Sequence, residues 1–187
     1  FPINSAGLTG CLSFINMQIS KIEINANNST CEDTVNFINV SGDIKNINIQ
    51  NSYRDALDID FSNLDIKNIN INLALNDCVD FSYGNYKIDQ LNLINCGDKA
   101  VSVGEKSKLK MTKIFAKESK FGIASKDSSI VELELASFDN LNTCLAAYKK
   151  KQEFEGGIIE VKNMNCSFSD KEIISDEHSK ITLQNKI

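Results

Sequence analysis

Hydrophobic and polar positions along this chain recur every 22 residues. One column of short side chains runs Thr34, Ala56, Cys78, Ala100, Gly122 and Cys144. The residue after each is aliphatic: Val35, Leu57, Val79, Val101, Ile123 and Leu145. Two places further on stand Phe37, Ile59, Phe81, Val103, Ser125 and Ala147. Between these two columns lie Asn36, Asp58, Asp80, Ser102, Ala124 and Ala146, polar at first and then small. An in-out-in triplet is a short strand with alternate side chains on opposite faces. Its return at a fixed period stacks the inward residues of one repeat on those of the next.

A second register keeps the same period. Ile44, Ile66 and Ile88 form one column, Ile47, Ile69 and Leu91 a second, and Ile49, Ile71 and Leu93 a third. The three-residue step from Ile44 to Ile47 breaks the two-residue alternation and predicts a bend at Asn46, Asn68 and Gln90. Asn tolerates left-handed backbone, and stacked amides can bond along the column. Three short strands per repeat, with bends between them and no helical pattern, describe one coil of a parallel β-solenoid whose coils stack about 4.8 Å apart.

On these columns, and on the repeated pattern seen in Ile44-Lys45-Asn46-Ile47-Asn48-Ile49, the chain resembles the right-handed parallel β-helix proteins, the pectin-lyase-like superfamily. The likeness covers residues 10–187. It implies an all-β, right-handed, single-stranded parallel β-helix of about seven to eight coils. A leucine-rich-repeat frame also fits Ile88 to Cys96, but its next aliphatic slot falls on Asp98, and a one-strand repeat has no place for the Val35 to Leu145 column.

The 187 residues read as a single β-helix domain, 1–187. Only 148–157 loses the period, and its Lys149-Lys150-Lys151 run and paired glycines read as a protruding, solvated loop or a patch for an anionic glycan. Neither end reads as a cap, which points to a piece of a longer chain whose further coils or caps would cover the open strand edges. At 42% apolar and 24% charged, the composition is that of a folded domain. No apolar run is long enough to span a membrane. A net charge of -5 argues against a nucleic-acid partner. One His (His178) and one Arg (Arg54) exclude a His-rich metal site, a triad built on His and arginine-based phosphate recognition.

The richest polar feature is acidic. Asp58 and Asp80 are equivalent outward positions of adjacent repeats, Asp55 and Asp77 form a parallel pair, and Asp60 lies beside them. Carboxylates stacked about 5 Å apart repel unless water screens them or a cation bridges them. The turn before each strand can equally favour Asp as a plain solvated face. The resemblance implies more: outward acids on this strand bind calcium near the sugar in pectate lyases and act as general acid and base in polygalacturonases. Asp58 and Asp80 are thus candidate Ca²⁺ ligands and candidate catalytic carboxyls; without such a site no cofactor is expected. Asp55, Asp77, Asp60 and Tyr148 are candidate substrate contacts. For a lyase or epimerase, Lys99 or Lys126 is the candidate base and Tyr148 a proton donor. The catalytic Arg of that family has no equivalent here.

Six cysteines fall at separations of 20, 47, 18, 48 and 22, with no C-x-x-C. Either they are buried free thiols filling small-residue slots, or they pair as Cys11–Cys31, Cys78–Cys96 and Cys144–Cys166, each tying the start of a coil to its end. Pairing would indicate an oxidising compartment. The expectation is an extracellular or cell-surface domain binding a polysaccharide or other surface glycan, and possible chemistry is that of a lyase, C5-epimerase or glycoside hydrolase. The alternative is a non-catalytic stalk or adhesin segment of a larger surface protein.

Overall fold

A computed structural model describes residues 7–187; the reading of residues 1–6 as part of an uncapped end lies outside it. Eleven strands follow one another along the chain: β1 (Gly10–Ser29), β2 (Asp33–Ser52), β3 (Asp55–Asp60), β4 (Asn63–Ala74), β5 (Val79–Ser82), β6 (Asn85–Gly104), β7 (Lys108–Lys126), β8 (Ile130–Tyr148), β9 (Ile158–Ser167), β10 (Lys171–Ser175) and β11 (Lys180–Lys186). All pairings are parallel, each strand with its equivalent one coil away, giving a β-solenoid of about 8 turns with no helix among the described residues.

The expected columns are the observed register. Val35 pairs Leu57, Leu57 pairs Val79, Val79 pairs Val101, Val101 pairs Ile123, and Ile123 pairs Leu145. All six are fully buried. The Ile44, Ile47 and Ile49 columns are buried in the same way, and Phe14 stacks on Phe37 at 4.8 Å across the coil step. Each coil closes its part of the core only by lying on its neighbours, so stability is built from nearest-neighbour contacts.

The corners correct one expectation. Asn46, Asn68 and Gln90 do not take left-handed backbone; left-handed positions include Asn16, Asn39, Phe61 and Tyr83 at one corner and Asn28, Asn51, Leu73, Asn95, Glu118 and Asn140 at another. The three-residue step is absorbed as a shallow bend, while the sharp reversals fall where the polar outer row meets the next strand. The expected amide stacking does occur: Asn68 Nδ2 donates to Asn46 Oδ1 at 2.9 Å, and Asn48, Asn70 and Asn39 make the same bond to the preceding coil.

The cysteines form three disulfides, Cys11–Cys31, Cys78–Cys96 and Cys144–Cys166, and none is free. Within one coil, the residue before the acidic strand and the residue ending the third run meet at the same corner, with Cα atoms 5.4–6.3 Å apart. Three such bonds belong to an oxidising compartment.

The segment 148–157 lies down on the solenoid as a strap. The Asp127 carboxylate accepts the backbone N–H groups of Lys150 and Lys151, both at 2.8 Å, and Ser128 Oγ accepts that of Glu155 at 2.9 Å. Phe154 is buried, edge-on to Tyr83, with the Lys106 ammonium 5.8 Å from its ring centre. Of the charges that suggested a solvated loop, Lys151 is partnered by Glu105.

Candidate acidic groove on the first sheet

The outward row of the first strand in each coil sets Asn36, Asp58, Asp80 and Ser102 side by side in register. This row is a sunken floor. Ser102 and Ala124 are fully buried and Asn36 is 1% exposed, whereas Asp58 and Asp80 are half-buried. Asp60 stands two residues on, in the next outward row with Ser82, Gly104, Lys126 and Tyr148.

Asn36 Nδ2 donates to Asp58 Oδ2 at 2.8 Å, while its own Oδ1, out of contact with water, has no partner. Asp80 Oδ1 is likewise buried without a donor. Burial pushes the Asp58 carboxyl up to about 9, and the nearby charges of Asp60, Asp33, Asp80 and Asp55 add to the rise. Asp58 is therefore a neutral acid at pH 7. Burial, with the charges of Asp80 and Glu105, raises Asp60 to about 6, against a hydrogen bond from the Asp58 side chain. Burial also raises Asp33 and Asp55, the latter despite bonds from the Asp77 backbone and Asn76. The site thus holds a carboxyl that keeps its proton beside one that loses it near neutrality.

The other sequence candidates are placed as follows. Asp77, 4% exposed, accepts the backbone N–H of Lys99 at 2.9 Å; burial raises it to about 6, and the attraction of Lys99 offsets only part of that. Lys99 pairs with Asp77 and Asp98. Burial alone would lower Lys99, but these carboxylates hold it above its ordinary value, the reverse of what a general base needs. Lys126, expected on an outward row, is 6% exposed, and its ammonium donates to Ser102 Oγ at 2.8 Å. Gly104 gives that path room, since a Cβ there would stand 3.1 Å from Lys126 Cε and push the side chain by a few tenths of an ångström. Tyr148 is half-buried at the end of the row, within electrostatic reach of Lys99. Asp58, Asp60 and Asp80 are brought together with Asp55 behind them, while Lys99 and Asp77 form a separate ion-paired flank.

Sequence reasoning missed Glu105 and Phe61 on the rim. Glu105, 8% exposed, accepts from Ser82 Oγ at 2.8 Å and pairs with Lys151 of the strap. Burial would raise Glu105, but these two partners hold it below the usual range. On the same rim Phe61 and Tyr83 stack at 4.8 Å with planes 7° apart, 53% and 42% exposed. Phe61 follows Asp60 and Tyr83 follows Ser82, so a 22-residue column of aromatics beside the acids was visible, but only as two positions. Tyr86 is buried, its hydroxyl donating to the carbonyls of Ile59 and Ser82.

No cluster of three or more metal-ligating side chains occurs among the described residues. A surface cavity of about 420 Å³ lies on another face, between alternating Asp43, Lys45, Asp65 and Lys67 over Ile44 and Ile66. In comparisons with known proteins, no family model matches the chain, and no curated protein or solved structure matches it significantly.

Proposed function

We propose that this chain is an extracellular glycan-binding solenoid of the right-handed, pectin-lyase-like type, with the groove around Asp58, Asp60 and Asp80 as its binding site. The observation that carries the reading is the contrast between faces. Elsewhere on the rod, outward columns include amide ladders in which each Asn satisfies the next and rows in which Asp alternates with Lys. In this row, crowded carboxyls stand with two buried acceptors unpartnered. Such crowding costs stability, and a rod needing only to be a rod has no use for it. Hydroxyl groups of a sugar supply donors to the parts of the half-buried carboxyls that face solvent. A polysaccharide laid along the stacking direction repeats at about the 5 Å of the coils, so successive sugars meet equivalent positions.

Hydrolysis is a second reading, favoured by the opposed protonation of neighbouring carboxyls. Asp58 would donate the proton to a leaving oxygen, and ionised Asp60 would activate water. Lyase or epimerase chemistry is less well served, because Lys99 is ion-paired and Lys126 is turned onto Ser102. A calcium ion at Asp58 and Asp80 would find two of the six to eight oxygens it takes, so we treat it as an ion that arrives with the glycan rather than a resident cofactor.

The test is a glycan array with the folded chain, followed by a reducing-end assay on each ligand found. Binding by the wild type that is lost in Asp80→Asn supports the reading. Release of reducing ends that is lost in Asp58→Asn supports hydrolysis. Binding that survives both substitutions places the site elsewhere, and an array with no ligand returns the chain to the stalk reading.

A further inference from the structure

The sheet whose inward residues are Ile44, Ile66 and Ile88 turns two columns of charge outward. Asp43, Asp65 and Lys87 pair in register from coil to coil in the first. Lys45, Lys67 and Asp89 stand two residues on in the second, and both columns line the cavity of about 420 Å³. Each of three successive rungs therefore holds one acid and one base: Asp43 with Lys45, Asp65 with Lys67, and Lys87 with Asp89. The columns change sign together between the second rung and the third, so the rule holds through the reversal. Solvation asks a face for charge but sets no order on its signs. Little of this charge is used within the chain. Lys45 lies 3.7 Å from Glu23, and the Asp43 carboxylate accepts from Ser20 Oγ and the backbone N–H of Lys21. Asp65, Lys67, Lys87 and Asp89 are exposed, and among the described residues none of these four side chains has a hydrogen-bond or ion-pair partner.

A two-fold axis laid along the stacking direction, midway between the two columns, sets each column of one copy against the other column of a second. Asp65 then faces the partner's Lys67, Lys67 faces the partner's Asp65, and the Asp43 and Lys87 rungs match in the same way. We propose that this face is an isologous contact between two copies of the chain, lying side by side with their coils stacked in the same direction. Each rung contributes two ion pairs across the axis, and the four unpartnered side chains all meet charges of opposite sign. One rung, Glu132 with Glu134, sets acid against acid; there Lys110 holds Glu132 at 2.9 Å and Lys162 holds Glu134 at 2.7 Å within each chain. Exposed pairs are individually weak, and the strip is only as wide as the outward residues Asn63, Asp65 and Lys67. The dimer is therefore reversible and sensitive to salt. The contact is independent of the glycan-binding reading, which concerns the first sheet.

The experiment is sedimentation equilibrium of the whole chain near neutral pH, in about 20 mM and about 500 mM salt, at protein concentrations up to about 0.5 mM. The expected result is a monomer–dimer equilibrium whose dissociation constant rises at least about tenfold at the higher salt. Lys67→Asp, which sets carboxylate on carboxylate across its rung, should abolish the dimer. Asp65→Lys combined with Lys67→Asp keeps one acid and one base on that rung and should restore it. Asp65→Lys combined with Lys87→Asp carries the same net charge but spoils two rungs, and should stay monomeric. All of these variants should fold, as circular dichroism will show, because every side chain changed is exposed. A monomer at both salts overturns the proposal. So does a dimer untouched by Lys67→Asp, which would use another face. Loss of the dimer in both double variants overturns the pairing of acid with base. Recovery in the second double variant rather than the first overturns the axis, because that pattern belongs to copies running in opposite directions.

Discussion

Replacing Asp58 by Asn should make this protein more stable at alkaline pH and leave it unchanged at acidic pH. The neutral Asp58 carboxyl accepts from Asn36 Nδ2 at 2.8 Å and donates to Asp60, and an Asn amide can do both. The carboxyl is raised from 3.8 to about 9 by burial and by its acidic neighbours. Between those values the folded protein holds a proton that the unfolded chain has released, so ionisation favours unfolding and stability falls as pH rises. Each pH unit in that window is worth about 1.4 kcal/mol for one such group, or about 2.7 kcal/mol from pH 6 to pH 8. The groove is open on one side, so solvent screening reduces this to about 1–2 kcal/mol. Below about pH 4 both states are protonated and the effect vanishes. Asp60 and Asp77, raised to about 6, spread their share of the loss over lower pH. Urea unfolding with disulfides intact, at a series of pH values, reads this directly. The Asn variant should match the wild type near pH 4 and lose about 1–2 kcal/mol less than it does between pH 6 and pH 8. A variant less stable at every pH, or one with the wild-type slope, would refute the argument that Asp58 is a buried acid holding its proton.

Other outcomes follow from the same geometry. Leu57→Ala, in the centre of the fully buried column, should cost about 2–5 kcal/mol in chemical unfolding, and Leu57→Asp should abolish the folded state by circular dichroism; a soluble, folded Leu57→Asp would contradict the inward stack. Removing the Cys78–Cys96 bond as a double Ala variant should destabilise by roughly 3 kcal/mol, and the native chain should show no alkylatable thiol by mass spectrometry. Lys151→Ala should loosen the strap at Glu105 and speed proteolysis within 149–155 without lowering the melting temperature of the coils; unchanged cleavage would mean that the Asp127 contacts alone hold it. Millimolar calcium should raise the melting temperature more in the presence of a bound glycan than without one, and Asp58→Asn with Asp80→Asn should remove the difference.

Much of this architecture was legible because a solenoid turns sequence period into spatial neighbourhood. The Val35 to Leu145 column needed only a count of 22; the cysteine separations of 20, 18 and 22 named the partners but left open whether the thiols pair at all. The corners were harder. Both the shallow bend at Asn46 and the sharp reversals at Asn28 and Asn51 carry Asn, and residue type alone does not say which one is left-handed. The site was legible in its acids and opaque in its lysines. Lys126 shares its row with Asp60, so parity predicts an exposed ammonium, but the side chain folds back past Gly104 onto Ser102, a contact no period announces. The strap broke the period, and with it the means of placing its residues. That Lys151 meets Glu105 is a tertiary contact 46 residues apart with no pattern behind it.

The central claim is that the row containing Asp58 and Asp80 is a ligand site rather than one more face of a rod. A crystal structure of the chain with the best-binding oligosaccharide tests it most directly. The account predicts sugar within hydrogen-bonding distance of Asp58, Asp60 or Asp80, with a ring lying against Phe61 or Tyr83. Sugar seated instead on the amide face of Asn48 and Asn70, with Asp58 and Asp80 untouched, would contradict it.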